Sequence, residues 1–393
     1  MSPTSLPREP DKRAFWGFAL HLGTIWALAL SNLFMVLTAL AALPSARGGW
    51  ARWRTFKGAL LPVGLFSLFV LASVAGSQDP RASLGGARGL LSLITLPLAF
   101  VVLNSEERIR RLVDALVALG GLLALYGLGQ LLFGLGGLYN RIHGPFSHWM
   151  TFAGVLIPCL LLAAARLAHR PGNGRAWRWA ALSLMAVALV ASLTRSAWVG
   201  LLLAVLTLLV VRAPRFIAAL PSVGLLLVLL MPVPVVARAG SIFDLRDESN
   251  YDRLCMAEAG LLMVREKPLF GIGPDMVRER YAIYSHPTAP RQWVPHLHNT
   301  FLQIGAESGL PALVAYLWLM GAGALLALRR FRAEGGWRGS RADLYFGVLM
   351  VLLAFNVAGL FEDNWGDTEV QRLVLFVLAL PFCLTAIDAP RPQ

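Results

Sequence analysis

The chain has 393 residues, of which 57% are hydrophobic and 15% charged, with a mean hydropathy of +0.63. A soluble domain carries about 25% charged residues, so this chain lacks the polar surface that a water-soluble protein of its size needs. Long continuous apolar runs exclude a β-barrel, whose strands alternate, and the formal net charge of +13 reads as a topology signal rather than a nucleic-acid footprint.

The expectation is an all-α, polytopic integral membrane protein with about twelve transmembrane helices and one long, partly helical periplasmic loop. After a cytoplasmic tail (1–13), nine spans are expected at about 14–30, 31–44, 58–76, 87–103, 112–138, 149–168, 179–194, 196–211 and 216–236. A periplasmic loop follows (237–298), then spans at about 299–328, 342–360 and 370–388 and a cytoplasmic tail (389–393). Lys12-Arg13 before an apolar run resembles a secretory signal, but the apolar segments that follow favour an uncleaved first span. Residues 14–44 would measure about 46 Å as one helix, more than a single crossing of about 30 Å. Ser31-Asn32 near the middle predicts a hairpin turn. Merging the two halves would move Arg47, Arg52, Arg54 and Lys57 to the outside, against the positive-inside rule. With the hairpin kept, Arg108 to Arg111, Arg166 to Arg178 and Arg329 to Arg341 also gather inside. The short outer connections keep only Arg81, Arg88, Arg141, Arg195 and Arg372. Cys159 and Cys383 lie in apolar runs, which suits neither a disulfide framework nor a zinc site.

The 237–297 segment balances its acidic and basic residues, so the global charge does not arise there. Loops of this length usually serve function. Asn250 is placed to cap a helix over about 251–266, with Leu254, Ala257, Leu261 and Val264 on one apolar face. Lys267-Pro268 ends it, and Gly271-Ile272-Gly273-Pro274 turns the chain.

Several residues carry possible chemistry. His296 and His298 form an H-x-H pair where the loop meets the tenth span. No neighbouring Cys, Asp or Glu in the sequence completes a ligand set, so no metal and no cofactor is expected. Asn299 or Thr300 is a helix cap, and His298 at a helix N-terminus, where the dipole disfavours imidazolium, suits a general base. Arg265 is either a surface ion pair or a bidentate phosphate clamp. Arg195, in the Thr194-Arg195-Ser196 break, either snorkels or meets an anion, and Arg88 is similar. Glu307, within the tenth span, either pairs with a buried arginine or takes part in catalysis. The tip Glu362-Asp363-Asn364-Trp365-Gly366-Asp367 suits sugar hydroxyls or a solvated turn. No P-loop, Rossmann, G-x-S-x-G or H-E-x-x-H motif is present.

The mid-chain Thr194-Arg195-Ser196-Ala197, the stretch from Arg253 to Pro268-Leu-Phe-Gly-Ile-Gly273-Pro274, His298-Asn299-Thr-Phe-Leu-Gln303 and Glu307-Ser-Gly309-Leu together resemble the O-antigen ligase and polymerase family of bacterial inner-membrane glycosyltransferases. The motif similarity covers about residues 180–320. The resemblance implies a periplasmic active site in a fold of about twelve helices. It implies an undecaprenyl-diphosphate-linked glycan donor and, for a ligase, a lipid A-core sugar hydroxyl as acceptor, with the bilayer but no nucleic acid as partner. By position it makes His298 the essential histidine, Arg265 the loop arginine and Arg195 the mid-chain arginine. Arg88 and Arg291 match no motif position. Inverting displacement needs a base and a stabilised leaving group. His298 is therefore expected to deprotonate the acceptor while Arg195, Arg265 and, as a helper, Arg88 hold the diphosphate without a metal. Asn299, Glu307 and His296 are supporting candidates. The alternatives are an O-antigen polymerase, a protein O-oligosaccharyltransferase and, in a different class, a secondary transporter of a lipid or anion, which should show discontinuous helices and repeat symmetry.

Overall fold

A computed structural model describes residues 12–46, 50–137, 140–169, 175–219, 221–222, 229, 232–244 and 246–389. Among these residues the secondary structure is helical, without a strand. In chain order the helices are α1 (Lys12–Gly23), α2 (Leu28–Ala46), α3 (Trp50–Gly76), α4 (Pro80–Gly86), α5 (Thr95–Val102), α6 (Glu106–Gly129), α7 (Trp149–His169) and α8 (Arg175–Ala191). They continue as α9 (Arg195–Arg212), α10 (Val233–Gly240), α11 (Glu248–Glu266), α12 (Met276–Tyr284), α13 (Thr300–Ala333), α14 (Ala342–Ala358) and α15 (Thr368–Asp388).

Seven stretches among the described residues are long and apolar enough to cross a membrane: Trp53–Gly76, Pro80–Val102, Glu106–Phe133, Trp149–His169, Arg195–Arg212, Thr300–Ala333 and Thr368–Asp388. Leu28–Pro44 and Ala342–Ala358 are shorter apolar helices. The chain is a multi-pass membrane protein, with fewer qualifying spans than the expected twelve. The expected 14–30 span is a helix of only 12 residues, too short for a crossing that takes about 20. The expected 179–194 span is a helix of 17 residues. The 216–236 span and both tails fall wholly or partly outside the described residues.

The N-terminal hairpin exists, but its turn lies at Thr24–Ala27, closed by Ala27 N–H donating to Thr24 O at 2.8 Å. The expected turn residues sit inside α2 and are engaged there. Ser31 Oγ donates to His21 O at 2.8 Å, and Asn32 Oδ1 accepts from Arg372. Arg372 also donates to Ser31 Oγ at 2.8 Å, and it is buried rather than lying in an exposed connection. α7 and α15 are enclosed along most of their length, whereas α3 and α9 leave Leu61, Leu68, Leu71, Leu202 and Val210 exposed on the outside of the bundle. Such a leucine surface is what a bilayer solvates.

At one end of the bundle, carboxylates tie the helix termini together. Asp343 accepts from Arg110 and Arg166, both at 2.9 Å. Asp114 accepts from Arg166 at 2.8 Å and Arg178 at 2.9 Å. Arg341 bridges Glu106 and Asp388, each at 2.8 Å.

At the other end two spans are interrupted. A 3-10 stretch, Ala87–Ile94, separates α4 from α5. α13 breaks at Gly309, where φ is +84°. The sequence explains the second break. Pro311 has no N–H to offer Glu307 O, so that carbonyl is left without its helical donor. The Leu310 N–H is diverted to Pro268 O at 2.7 Å. The Pro268–Gly273 stretch fills the gap: Ile272 N–H donates to Ala306 O at 2.8 Å and Gly273 N–H to Glu307 O at 3.0 Å, and Ser73 Oγ adds a bond to Glu307 O. Close approach forces glycine here, because a Cβ on Gly309 would lie 2.3 Å from Leu269 O and one on Gly271 2.4 Å from the Glu307 carbonyl carbon.

Candidate active site

The loop helix α11 begins earlier than expected. Asp247 is its cap, accepting from Asn250 N–H at 3.2 Å. Asn250 itself turns back and donates to Ser241 O and Asp244 O, each at 2.8 Å. The buried face is also a different one. Asp252, Cys255, Met256, Ala259, Gly260 and Met263 pack inward, while Leu254 and Leu261 are about half exposed. Both stripes have helical spacing. The small residues decide, because Gly260 lets Leu297 approach so closely that an added Cβ would sit 2.8 Å from Leu297 Cδ1.

Above α13, the turn from His296 to Thr300 is fastened to the connection between α14 and α15. Thr300 N–H donates to Gly359 O at 2.8 Å, Asn299 Nδ2 to Leu360 O at 3.0 Å and Thr300 Oγ1 to Glu362 O at 3.1 Å. Asn299 is the cap, accepting from the Phe301 and Leu302 N–H groups at 3.0 Å each. His298 takes a left-handed backbone, φ +48°, a conformation costing a non-glycine residue about 1–2 kcal/mol. Its Nδ1 lies 2.9 Å and 3.0 Å from the two Glu362 carboxylate oxygens. Strain of this kind concentrates where a side chain must be aimed.

Glu362 is buried, at 4% exposure. Burial alone would raise its pKa, but the charges of His298, His296 and Arg253 and the His298 hydrogen bond outweigh it and bring the carboxyl down to about 2. An ionised carboxylate only accepts, so His298 Nδ1 carries the hydrogen of this contact and Nε2 is the ring nitrogen left to face a substrate. Burial pushes His296 down to about 4, so it is a neutral imidazole at pH 7. Burial and then the Glu362 charge push Asp363 up to about 6.

These groups line a cavity of about 920 Å³. Arg253, Arg291, His148, His296 and His298 line it together with Asp275, Glu307, Glu362, Asp363, Asn364, Asp367 and Gln371. Phe66 and Val70 of α3, with Gly86, Ala87, Gly89 and Leu90 of the interrupted segment, add an apolar wall. Arg253 is one of four crowded guanidiniums. Burial and then the neighbouring Arg195 and Arg141 push Arg238 down to about 10. Burial first, with neighbouring arginines contributing, also lowers Arg253 and Arg141. An anion would relieve this mutual repulsion.

The expected site residues divide. His298, His296 and Glu307 line the cavity. Among the described residues Glu307 has no arginine partner. Its Oε1 accepts the Val277 N–H at 3.3 Å, at the first turn of α12, so it caps that helix across the Gly309 break. Asn299 is a cap. Arg265 is exposed in the last turn of α11 and is not among the residues lining the cavity that holds His298. Arg253, three turns earlier on the same helix, is. Arg88 is exposed, although Ala87 and Gly89 beside it line the wall. Arg195 stands behind the wall, 7% exposed. It donates to Ser241 Oγ at 2.8 Å, Ser241 O at 2.9 Å, Asp247 Oδ1 at 3.2 Å and Ser249 Oγ at 3.3 Å. Because Arg253 donates to the same Ser249 Oγ at 3.0 Å, Arg195 holds the start of α11 and the cavity arginine through it. Arg291 pairs with the buried Asp252.

Sequence reasoning missed Glu362 as the partner of His298. Nothing local marks it among the other polar residues at the tip, Asp363, Asn364 and Asp367, and the pairing spans 64 residues. The same pairing overturns the argument that no acid completes the H-x-H pair. His296, His298 and Glu362 offer ligand atoms within 4.8 Å of one another.

Fold and cavity define a multi-pass membrane protein with an oriented imidazole in a cavity that also holds two arginines, a combination suited to transfer from an anionic leaving group. Residues 180–317, about a third of the chain, match the family model described as O-antigen ligase, which supports a place in that family. The match is similarity to a family of glycosyl transfer of the ligase or polymerase type. No curated protein matches the chain.

Proposed function

We propose that the protein transfers O-antigen glycan from undecaprenyl diphosphate to a sugar hydroxyl of lipid A-core, on the periplasmic face of the inner membrane, with inversion and without a metal. The observation that carries this reading is the His298–Glu362 pair in one cavity with Arg253. In the transfer, His298 Nε2 takes the acceptor hydroxyl proton. The acceptor oxygen bonds to the anomeric carbon, and the bond from that carbon to the phosphate oxygen breaks. The electron pair leaves on undecaprenyl diphosphate, where Arg253, supported by Arg195 and flanked by Arg291, balances the charge. Glu362 fixes the tautomer and stabilises the imidazolium as it forms. The acidic and amide groups at 363–371 suit glycan hydroxyls, and the apolar wall suits the first prenyl units.

The two interrupted spans bear on the transporter alternative. Transporters leave the freed backbone groups of broken helices facing the ion or substrate. Here Ala306 O and Glu307 O are consumed by Ile272, Gly273 and Ser73, which favours a fixed site.

The test is transfer by purified protein in detergent from lipid-diphosphate glycan to isolated core lipid, with and without EDTA. Labelled core lipid in both conditions is the expected result. A labelled glycan polymer instead would make it a polymerase, and abolition by EDTA would overturn metal independence.

A further inference from the structure

We propose that His296, His298 and Glu362 form a binding site for a transition-metal dication of the zinc type, and that filling it switches transfer off. Two imidazoles and one carboxylate are a donor set that zinc accepts readily, with exogenous ligands completing the shell. Mg2+ and Ca2+, which prefer all-oxygen shells, are poorly matched to it. The spacing also fits. Tetrahedral zinc with bonds of about 2.0–2.1 Å holds its ligand atoms roughly 3.3 Å apart. Glu362 Oε1 lies 2.9 Å from His298 Nδ1 and 3.8 Å from His296 Nδ1, on either side of that value. The two rings are already gathered, with centroids 4.3 Å apart. All three side chains line the cavity, whose volume of about 920 Å³ leaves room for an ion and its waters.

The ion would act as an inhibitor because of what it takes away. Coordination by His298 uses the ring's lone pair, and coordination by Glu362 removes the acceptor that sets the ring's tautomer. A metal-bound His298 accepts no proton. His296 supplies the third ligand and explains why the second histidine of the H-x-H pair stands in the cavity. Arg253 lines the same cavity and opposes a dication, so the site is suited to an ion that comes and goes. The switching half rests on His298 being the base in the proposed transfer, whereas the binding half does not.

The experiment uses the purified full-length protein, stripped of metal with a chelator. Isothermal titration with ZnCl2 should show one site, and MgCl2 should show none. Co2+ should give the visible absorption of a low-coordinate imidazole site. His296→Ala and, as a milder change, His296→Gln should weaken Zn2+ binding by at least tenfold and abolish the Co2+ bands, in protein whose thermal unfolding matches the wild type. Transfer by the wild type should fall on Zn2+ addition and return with EDTA. In each His296 variant the inhibiting concentration, referred to that variant's own metal-free rate, should rise by the same factor as the affinity falls. No Zn2+ binding, or binding unchanged in both variants, overturns the site. Zn2+ bound at this site with transfer undiminished overturns the switch. Failure of the protein to transfer at all would count against the proposed function and leave the binding result to decide the site.

Discussion

Glu362→Gln is the perturbation that separates an oriented general base from a histidine that merely packs. Glutamine keeps the shape of the side chain and leaves intact the backbone bond from Thr300 Oγ1 to residue 362. It removes the charge and can present an NH2 where the Nδ1 hydrogen now points. That favours the tautomer with its hydrogen on Nε2, the atom that must accept the acceptor's proton. The charge loss can be sized from the structure. A carboxylate oxygen 2.9 Å from Nδ1 stabilises a unit positive charge there by about 6 kcal/mol at an effective dielectric of about 20. General-base catalysis as a whole contributes about 10²–10⁴-fold, which caps the effect. The expected loss in kcat is therefore about 10²–10⁴-fold, or about 3–5 kcal/mol of barrier, with the donor KM little changed because the arginines are untouched. The assay is steady-state transfer by purified protein with radiolabelled lipid-diphosphate glycan and saturating core lipid. Since Glu362 acts through His298, the double variant Glu362→Gln/His298→Ala should be no slower than His298→Ala alone. A Glu362→Gln enzyme at wild-type kcat, or single-variant losses that multiply in the double, would refute the assignment.

Arg253→Ala should raise the donor KM and lower kcat by at least about tenfold, since charge-assisted contacts are worth about 1.5–3 kcal/mol, and Arg253→Lys should recover part of the loss. Arg265→Ala, a change at an exposed position, should shift transfer by no more than about 0.5 kcal/mol, or roughly twofold. The same transfer assay ranks the two arginines, and the opposite ranking would restore Arg265 to the site. Gly309→Ala places a methyl 2.3 Å from Leu269 O in a left-handed backbone, so the Pro268–Gly273 turn must shift. A loss of at least about 1–3 kcal/mol is expected, read as a lower midpoint of thermal unfolding in detergent. Sidedness is open to cysteine labelling, because the native Cys159, Cys255 and Cys383 are buried. With an impermeant maleimide applied from the periplasm, Ala282→Cys in α12 should label, and Glu107→Cys at the charged end should label only after the inner membrane is permeabilised.

Much of this protein is written in patterns that survive without a fold. Apolar length alone marks the long spans, and Lys267-Pro268 ends α11 where expected. The H-x-H pair ahead of a polar helix entrance points to His298. What escapes the sequence is either a choice between equivalent patterns or a contact over long separation. α11 carries two stripes of helical spacing, and only Gly260 meeting Leu297 selects the Cys255–Met263 face. Arg253 and Arg265 lie on one helix before the same motif, and their reach differs by three turns, which no local composition reports. Ser31-Asn32 looks like a turn because polar residues inside an apolar run usually are one. Its real use, as acceptors for a buried Arg372, depends on a residue more than three hundred positions away. Glu307 in sequence suggests an arginine partner or catalysis, and its cap role exists only because Gly309 and Pro311 open α13 to the α12 terminus.

The two ends of the bundle show how a single excess of arginine is put to two uses. At one end Arg110, Arg166, Arg178 and Arg341 share Asp343, Asp114, Glu106 and Asp388 at 2.7–2.9 Å, and the charges are matched. Such bridges hold helix ends in register and leave little field for a ligand. At the cavity end, Arg195 and Arg238 both turn to Asp247, at 3.2 Å and 4.0 Å, while Glu362 is engaged by His298. Arg253 and Arg141 stand close enough to these neighbours to be destabilised as cations. Folding tolerates that repulsion because α11 is anchored elsewhere, by the Asp247 cap, the Asn250 bonds to the 241–244 turn and the buried Met256–Met263 face. In the proposed transfer, a diphosphate beside Arg253 would offset this repulsion. If the proposed transfer holds, such an arrangement would bind the leaving group most strongly as its charge develops, favouring the transition state over the bound donor.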